Sequence, residues 1–138
     1  MKQIIDSIRR ALRSDPKIES LCGLDEDGET KAYQAMAKTN VSAPYVIWSI
    51  LSGIDSPPVY GDGYVIQDLM VATSAWGRNS TEAWQLAEFI QEAFEEADYA
   101  AEPWGMMFNR RISFPRELPD RDTNLVQVTA DYWLRFSR

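Results

Sequence analysis

Leu69-Met70-Val71-Ala72-Thr73-Ser74-Ala75-Trp76-Gly77-Arg78-Asn79-Ser80-Thr81-Glu82-Ala83-Trp84-Gln85-Leu86-Ala87 is a stretch whose period changes halfway. Up to Trp76 it is rich in residues that suit a pleated surface, continuing a strand pattern that begins at Tyr64. From Asn79 the period becomes helical. Asn79 stands three positions before Glu82, a spacing that satisfies free amides at a helix start. Ala83, Leu86, Ala87, Ile90, Ala93, Phe94 and Ala97 then recur at three or four residues, while Glu88, Gln91, Glu92, Glu95 and Glu96 fill the other face. A strand running directly into an amphipathic helix fixes a layered α and β arrangement.

Working outward, Pro44 is followed by Tyr45-Val46-Ile47-Trp48-Ser49-Ile50-Leu51, apolar at both parities, which predicts a central strand covered on both faces. It pairs most simply as an antiparallel hairpin with the Tyr64 to Trp76 strand, across a long loop from Ser52 to Gly63. Beyond the helix, Phe108, Arg110, Ile112 and Phe114 alternate with Asn109, Arg111 and Ser113, predicting a strand with the first set on a core. Leu125 to Phe136 alternates again, with Val126, Val128, Ala130, Tyr132, Leu134 and Phe136 on the apolar face. These last two strands form a second hairpin across a polar loop from Pro115 to Asn124.

At the other end, Ile4, Ile5, Ile8 and Leu12 share one stripe of a helix that ends by Ser14, ahead of Pro16; Ile18 and Leu21 extend a broken apolar face. Gly23 to Asn40 shows no period and reads as a connecting loop. The expected fold is α+β, a mixed or antiparallel four-stranded sheet with two main helices in the order α-β-β-α-β-β. One domain spans residues 1–138, a length that buries roughly two-thirds of the unfolded surface.

Composition narrows the function. The formal charge of -7 repels phosphate backbones and anionic lipid, which argues against general nucleic-acid binding. No apolar run approaches the roughly 20 residues a bilayer span needs. The chain has no histidine, which removes the commonest general base, the Ser-His-Asp arrangement and every histidine metal ligand. A lone cysteine, Cys22, forms neither an internal disulfide nor a zinc cluster and reads as a small buried apolar residue. Asp25, Asp27 and Glu29 suggest calcium, but Gly28 falls at position four of such a loop where an EF-hand needs glycine at about position six. Gly53, Gly61 and Gly63 lack the following lysine and helix of a phosphate cradle and read as turn residues. No cofactor, metal or catalytic residue is expected, and the carboxylates of the long helix belong to a solvated face.

What remains is surface. Five tryptophans, Trp48, Trp76, Trp84, Trp104 and Trp133, are many for this length, and Trp84 and Trp133 fall off the core stripes. Core packing and partner contact both stay open for them. Arg110, Arg111, Arg116 and Arg121 concentrate around the last hairpin; pairing with Glu117, Asp120 and Asp122 is the simplest account, since surface charges intermix.

Taken together, Ala43-Pro44-Tyr45-Val46-Ile47-Trp48 opening the first strand, Leu69 to Trp76 in the second, the helix directly after it and the terminal hairpin resemble the tail-terminator or tail-completion proteins of the siphophage neck. This group includes a small domain-of-unknown-function subunit. The resemblance covers the chain in element order and is sequence-specific over about Ala43 to Ala97. It implies a non-enzymatic subunit of a ring, usually hexameric, that caps the finished tail tube and offers a surface for head joining. The implied partners are further copies of itself, the tail tube protein and the head–tail connector; DNA passes through the ring without specific binding, and no membrane is involved. The implied location is the virion tail or neck, after assembly in the host cytoplasm. Candidate interface residues are then Trp48, Tyr60, Asp62, Tyr64, Trp104, Arg116, Glu117, Asp120, Arg121 and Asp122. Another neck adaptor or tube component is the alternative within this class. Outside it stand a peptide-binding adaptor that adds a strand to a sheet edge and a small enzyme using carboxylates or tyrosine in a cleft between sheet and helices, for which a pocket lined by Asp68, Asp98 or Asp131 would be the sign.

Overall fold

The computed structural model describes residues 2–56, 66–96 and 105–137, without the side chains of 52–56, 96 and 106–108. Among the described residues there are three helices: α1 (Lys2–Arg13), α2 (Pro16–Cys22) and α3 (Ser80–Glu96). Six strands accompany them, β1 (Ala32–Gln34), β2 (Tyr45–Ser56), β3 (Ile66–Gly77), β4 (Gly105–Arg111), β5 (Arg116–Asp120) and β6 (Leu125–Ser137). The α+β class is as the periodicities predict, but the sheet has six strands where four were expected.

The helices form where their sequence dictates. Ile4, Ile8 and Leu12 of α1 are fully buried on one stripe. The break before Pro16 is real: Asp15 caps α2, its Oδ1 accepting from the N–H groups of Lys17 and Ile18 at 2.9 and 3.0 Å, with proline in the first turn. At α3 the Asn79 Oδ1 accepts from the Glu82 N–H at 2.9 Å, and the Glu82 carboxylate reaches back to accept from the Arg78 N–H at 3.0 Å. The reciprocal cap therefore extends one residue further out than the simplest capping box.

Sheet order is β1-β2-β3-β6-β4, with β5 pairing β6 below β4. β1 pairs β2 in parallel; the other pairings are antiparallel. β1 lies inside the segment expected to be a loop: a strand of 3 residues is too short to show a period. β2 runs on to Ser56 past an irregularity between Ile50 and Ser52, so the expected loop from Ser52 starts as strand. β5 occupies much of the expected Pro115 to Asn124 loop, leaving a short turn in which Asn124 takes positive φ, 58°.

All three helices cover one face of the sheet. Val46, Trp48, Leu69, Val71, Ala75, Val128, Leu134 and Phe136 point toward Leu86, Ile90 and Phe94 of α3 and the α1 stripe, forming one continuous core. The Phe94 and Tyr132 rings meet at 4.8 Å between centroids. Among the described residues the opposite face carries no helix, so no described helix covers the second side of β2 that the sequence led one to expect covered; Tyr45, Ile47, Ser49, Met70, Ala72, Trp76 and Trp133 lie there half-buried. On that face Asp68 and Arg135, opposite each other on β3 and β6, make a two-pronged ion pair at 2.7 and 2.9 Å.

The Arg135 guanidinium holds the Asp68 carboxyl below the usual carboxylate range, outweighing partial burial, which acts the other way. A folded pKa below the unfolded one contributes stability that is present at neutral pH and is lost as pH falls through the folded pKa. Asp68→Asn is therefore expected to flatten the fall of the urea midpoint below about pH 4. An acid limb unchanged by the substitution would remove Asp68 from the acid response.

Candidate assembly interface

The margin formed by β4 and β5 is built around an interruption. Arg111 is opposite Tyr132 and Arg116 is opposite Thr129, so Ile112 to Pro115 oppose only Ala130 and Asp131. The surplus chain must leave the ladder. The Ile112 N–H still donates to the Asp131 carbonyl at 3.0 Å. The Asp131 N–H, in return, donates to the Ser113 hydroxyl at 3.1 Å, a side-chain oxygen standing where a backbone carbonyl would be. With both of those groups satisfied, the next residue is thrown outward: Phe114 is 86 % exposed.

Around it, Ile112 and Leu118 are also exposed large apolar residues on the same margin. Trp84, on the outer side of α3, donates its indole N–H to Glu117 of β5 at 3.0 Å, tying the helix to the strand. Between α3 and this margin lies a cavity of about 490 Å³ bordered by Trp84, Ala87, Arg111, Pro115 and Tyr132.

Asn109 and Arg111 point to the helix side, the reverse of the expected parity. Asn109 donates to the Phe94 carbonyl at 3.0 Å, satisfying a carbonyl near the α3 C-terminus, and Arg111 donates to Gln91 at 2.7 Å. A register shift between Met106 and Phe108 places this parity inward. Among the described residues Arg110, Arg116 and Arg121 enter no ion pair, so the expected pairing with Glu117, Asp120 and Asp122 is not made.

The opposite margin, beside β1, is acidic and more rigidly tied. Asp25 accepts from the Asp27 and Glu29 N–H groups, the Tyr33 hydroxyl and Lys38. Its side chain is only 4 % exposed, and although burial alone would raise its pKa, these donors hold the carboxyl well below its usual range. Lys38 also pairs with Asp27 at 2.7 Å. Next to this network Leu24 and Met36 are exposed, Met36 at 75 %.

The sequence-based candidates distribute as follows. Arg116, Glu117, Asp120, Arg121 and Asp122 come together on β5 and its turn. Trp48 does not join them: it is 1 % exposed within the core and has no surface to present. Tyr60, Asp62, Tyr64 and Trp104 lie outside the described residues. Phe114, Leu24 and Met36 were not singled out. Phe114 was hidden by an alternation that assigned it to the core, and Met36 by a segment without period.

A one-sided mixed sheet with apolar, oppositely charged margins defines a protein with contact surfaces. Among the described residues no three metal-ligating side chains converge, and no helix is long and apolar enough to cross a membrane. Residues 6–137 match the tail completion protein gp17 family, and the chain belongs to that family: it is a phage tail structural protein. In fold it is similar to a chain of the virion of a native gene transfer agent particle, at 14 % identity over 95 % of this chain and 92 % of that one, with a TM-score of 0.66. No curated protein matches it significantly.

Proposed function

We propose that this protein caps the completed tail tube as a hexameric ring and forms the surface to which the head joins. The observation that carries the reading is the family match over residues 6–137, which takes in every described strand and α1 from Asp6 onward. The described surfaces support it. A subunit whose two sheet margins differ in charge and shape can join neighbours in a closed ring, and the sheet face on which no described helix lies is left for other contacts. The tail tube protein and the head–tail connector are its partners beyond its own copies. The subunit acts by shape and contact, without catalysis or cofactor, in the neck of the virion after assembly in the host cytoplasm. DNA crosses the ring without specific binding, and the charge of -7 is consistent with a passage that does not hold phosphate.

Particles produced without this protein should accumulate as filled heads beside unjoined tails, and adding the purified chain should restore joining, counted by negative-stain microscopy. Native mass and class averages should show a six-membered ring at the tail end. Normal joining in its absence would sink the reading, and a twelve-membered ring docked on the head portal would replace it with a connector adaptor.

A further inference from the structure

We propose that Phe114 and the apolar margin around it seat on the Leu24–Met36 margin of a second copy of this chain, so that subunits join head to tail through opposite edges of the sheet. The inference rests on the ring reading above and names the surfaces that would make the ring. Three observations carry it.

The first is the bulge. Ile112 and Ser113 keep the Asp131 backbone paired, and Phe114, the next surplus residue, is left exposed. A single exposed apolar residue is ordinary, but Ile112 and Leu118 are exposed on the same margin, and apolar side chains gathered in this way mark contact sites.

The second is charge. Residues 110–122 hold four arginines against three acids, and residues 24–42 hold four acids against two lysines. Arg110, Arg116 and Arg121 on one margin, and Glu26 on the other, take no ion pair among the described residues. Two Phe114 margins meeting each other would set arginines against arginines, whereas the β1 margin offers carboxylates.

The third is shape. A cavity of about 270 Å³ is bordered by the apolar Leu24 and Val41 and by the charged Asp25, Asp27, Lys31 and Lys38. A pocket of about 150 Å³ accommodates benzene, so the volume admits a phenyl ring, with Leu24 and Val41 as its apolar contacts. The β1 and β4/β5 margins are the two ends of the strand order, which makes the contact heterologous and able to close a ring.

Cysteines at the two positions test the contact, in isolated protein and in purified particles. The native Cys22 does not interfere: it is buried, and burial pushes its thiol up to about 12. Under mild oxidation the double variant Phe114→Cys/Met36→Cys should give a covalent ladder ending at the ring. An equal mixture of the two single variants should stop at dimers, and neither single variant should crosslink to itself. A charge exchange gives an independent reading. Arg116→Glu and Glu26→Arg should each weaken association by about tenfold and together restore it. Phe114→Ser should abolish association while leaving the urea midpoint of the subunit unchanged. A ring seen by native mass without 114-to-36 crosslinks, or with Phe114→Cys joined to itself, overturns the inference and leaves the ring standing. Monomers in both isolated protein and particles overturn the ring as well.

Discussion

Trp48→Ala is expected to lower the stability of the isolated subunit by roughly 3–5 kcal/mol, the range for truncating a large buried aromatic, read as a fall in the urea midpoint at unchanged slope. The side chain sits on an inner strand, between Gln34 of β1 and Thr73 of β3, and is 1 % exposed among the residues of the main core. Removing it leaves a cavity that the flanking strands cannot close, because their positions are fixed by pairing on both sides. Its indole N–H has no hydrogen-bond partner among the described residues. Trp48→Phe therefore forfeits volume but no bond, and should cost well under half as much as alanine. An interface tryptophan would give the opposite pattern: an unchanged midpoint in the isolated subunit and a loss confined to assembly. Assembly should fail for Trp48→Ala only in proportion to the fraction unfolded.

The same residue shows how far the sequence could be read. A strand with apolar side chains at both parities looks covered twice, and Tyr45-Val46-Ile47-Trp48 gives no means of choosing which parity faces the helices. The choice is tertiary: Val46 and Trp48 turn inward, while Tyr45 and Ile47 line the open face, where Tyr45 stacks on Trp76 at 6.0 Å. Where period and partner agree, as in α3 and β6, the elements fall close to where the pattern puts them. In β4 the alternation found the strand but reversed its faces, since the α3 C-terminal carbonyl and Gln91 draw Asn109 and Arg111 inward. β5 was concealed by Pro119 and its charges, a composition that suits an edge strand as well as a loop. Of the candidate interface, the charged half around Arg116 to Asp122 was legible because charge is visible in composition. Phe114 was not, because its exposure depends on a count of residues between two pairings that only the register reveals.

Gly77→Val is expected to be the most damaging substitution outside the core side chains. Gly77 ends β3, opposite Val126 of β6, at the point where the chain turns toward α3. A Cβ added there would lie 2.6 Å from the Ala83 backbone nitrogen and 3.0 Å from its Cα. The atoms it strikes are backbone, in the first turn of α3, and the Ala83 N–H is itself bonded to the Asn79 carbonyl at 3.1 Å. Relief therefore requires either the helix start or the β3 end to move. Alanine should cost about 1–3 kcal/mol by overpacking, and valine, with two further methyls and no side chain to push aside, more. Ala83→Gly should not rescue the alanine variant, because the closest collision is with the nitrogen and survives loss of the Ala83 methyl. Full rescue would mean that side-chain crowding, and not the helix backbone, sets the requirement for glycine. Because α3 also carries Trp84 and its bond to Glu117, a shifted helix start reaches the β5 margin. Gly77→Ala should consequently weaken association more than its folded fraction accounts for, whereas Trp48→Ala should not.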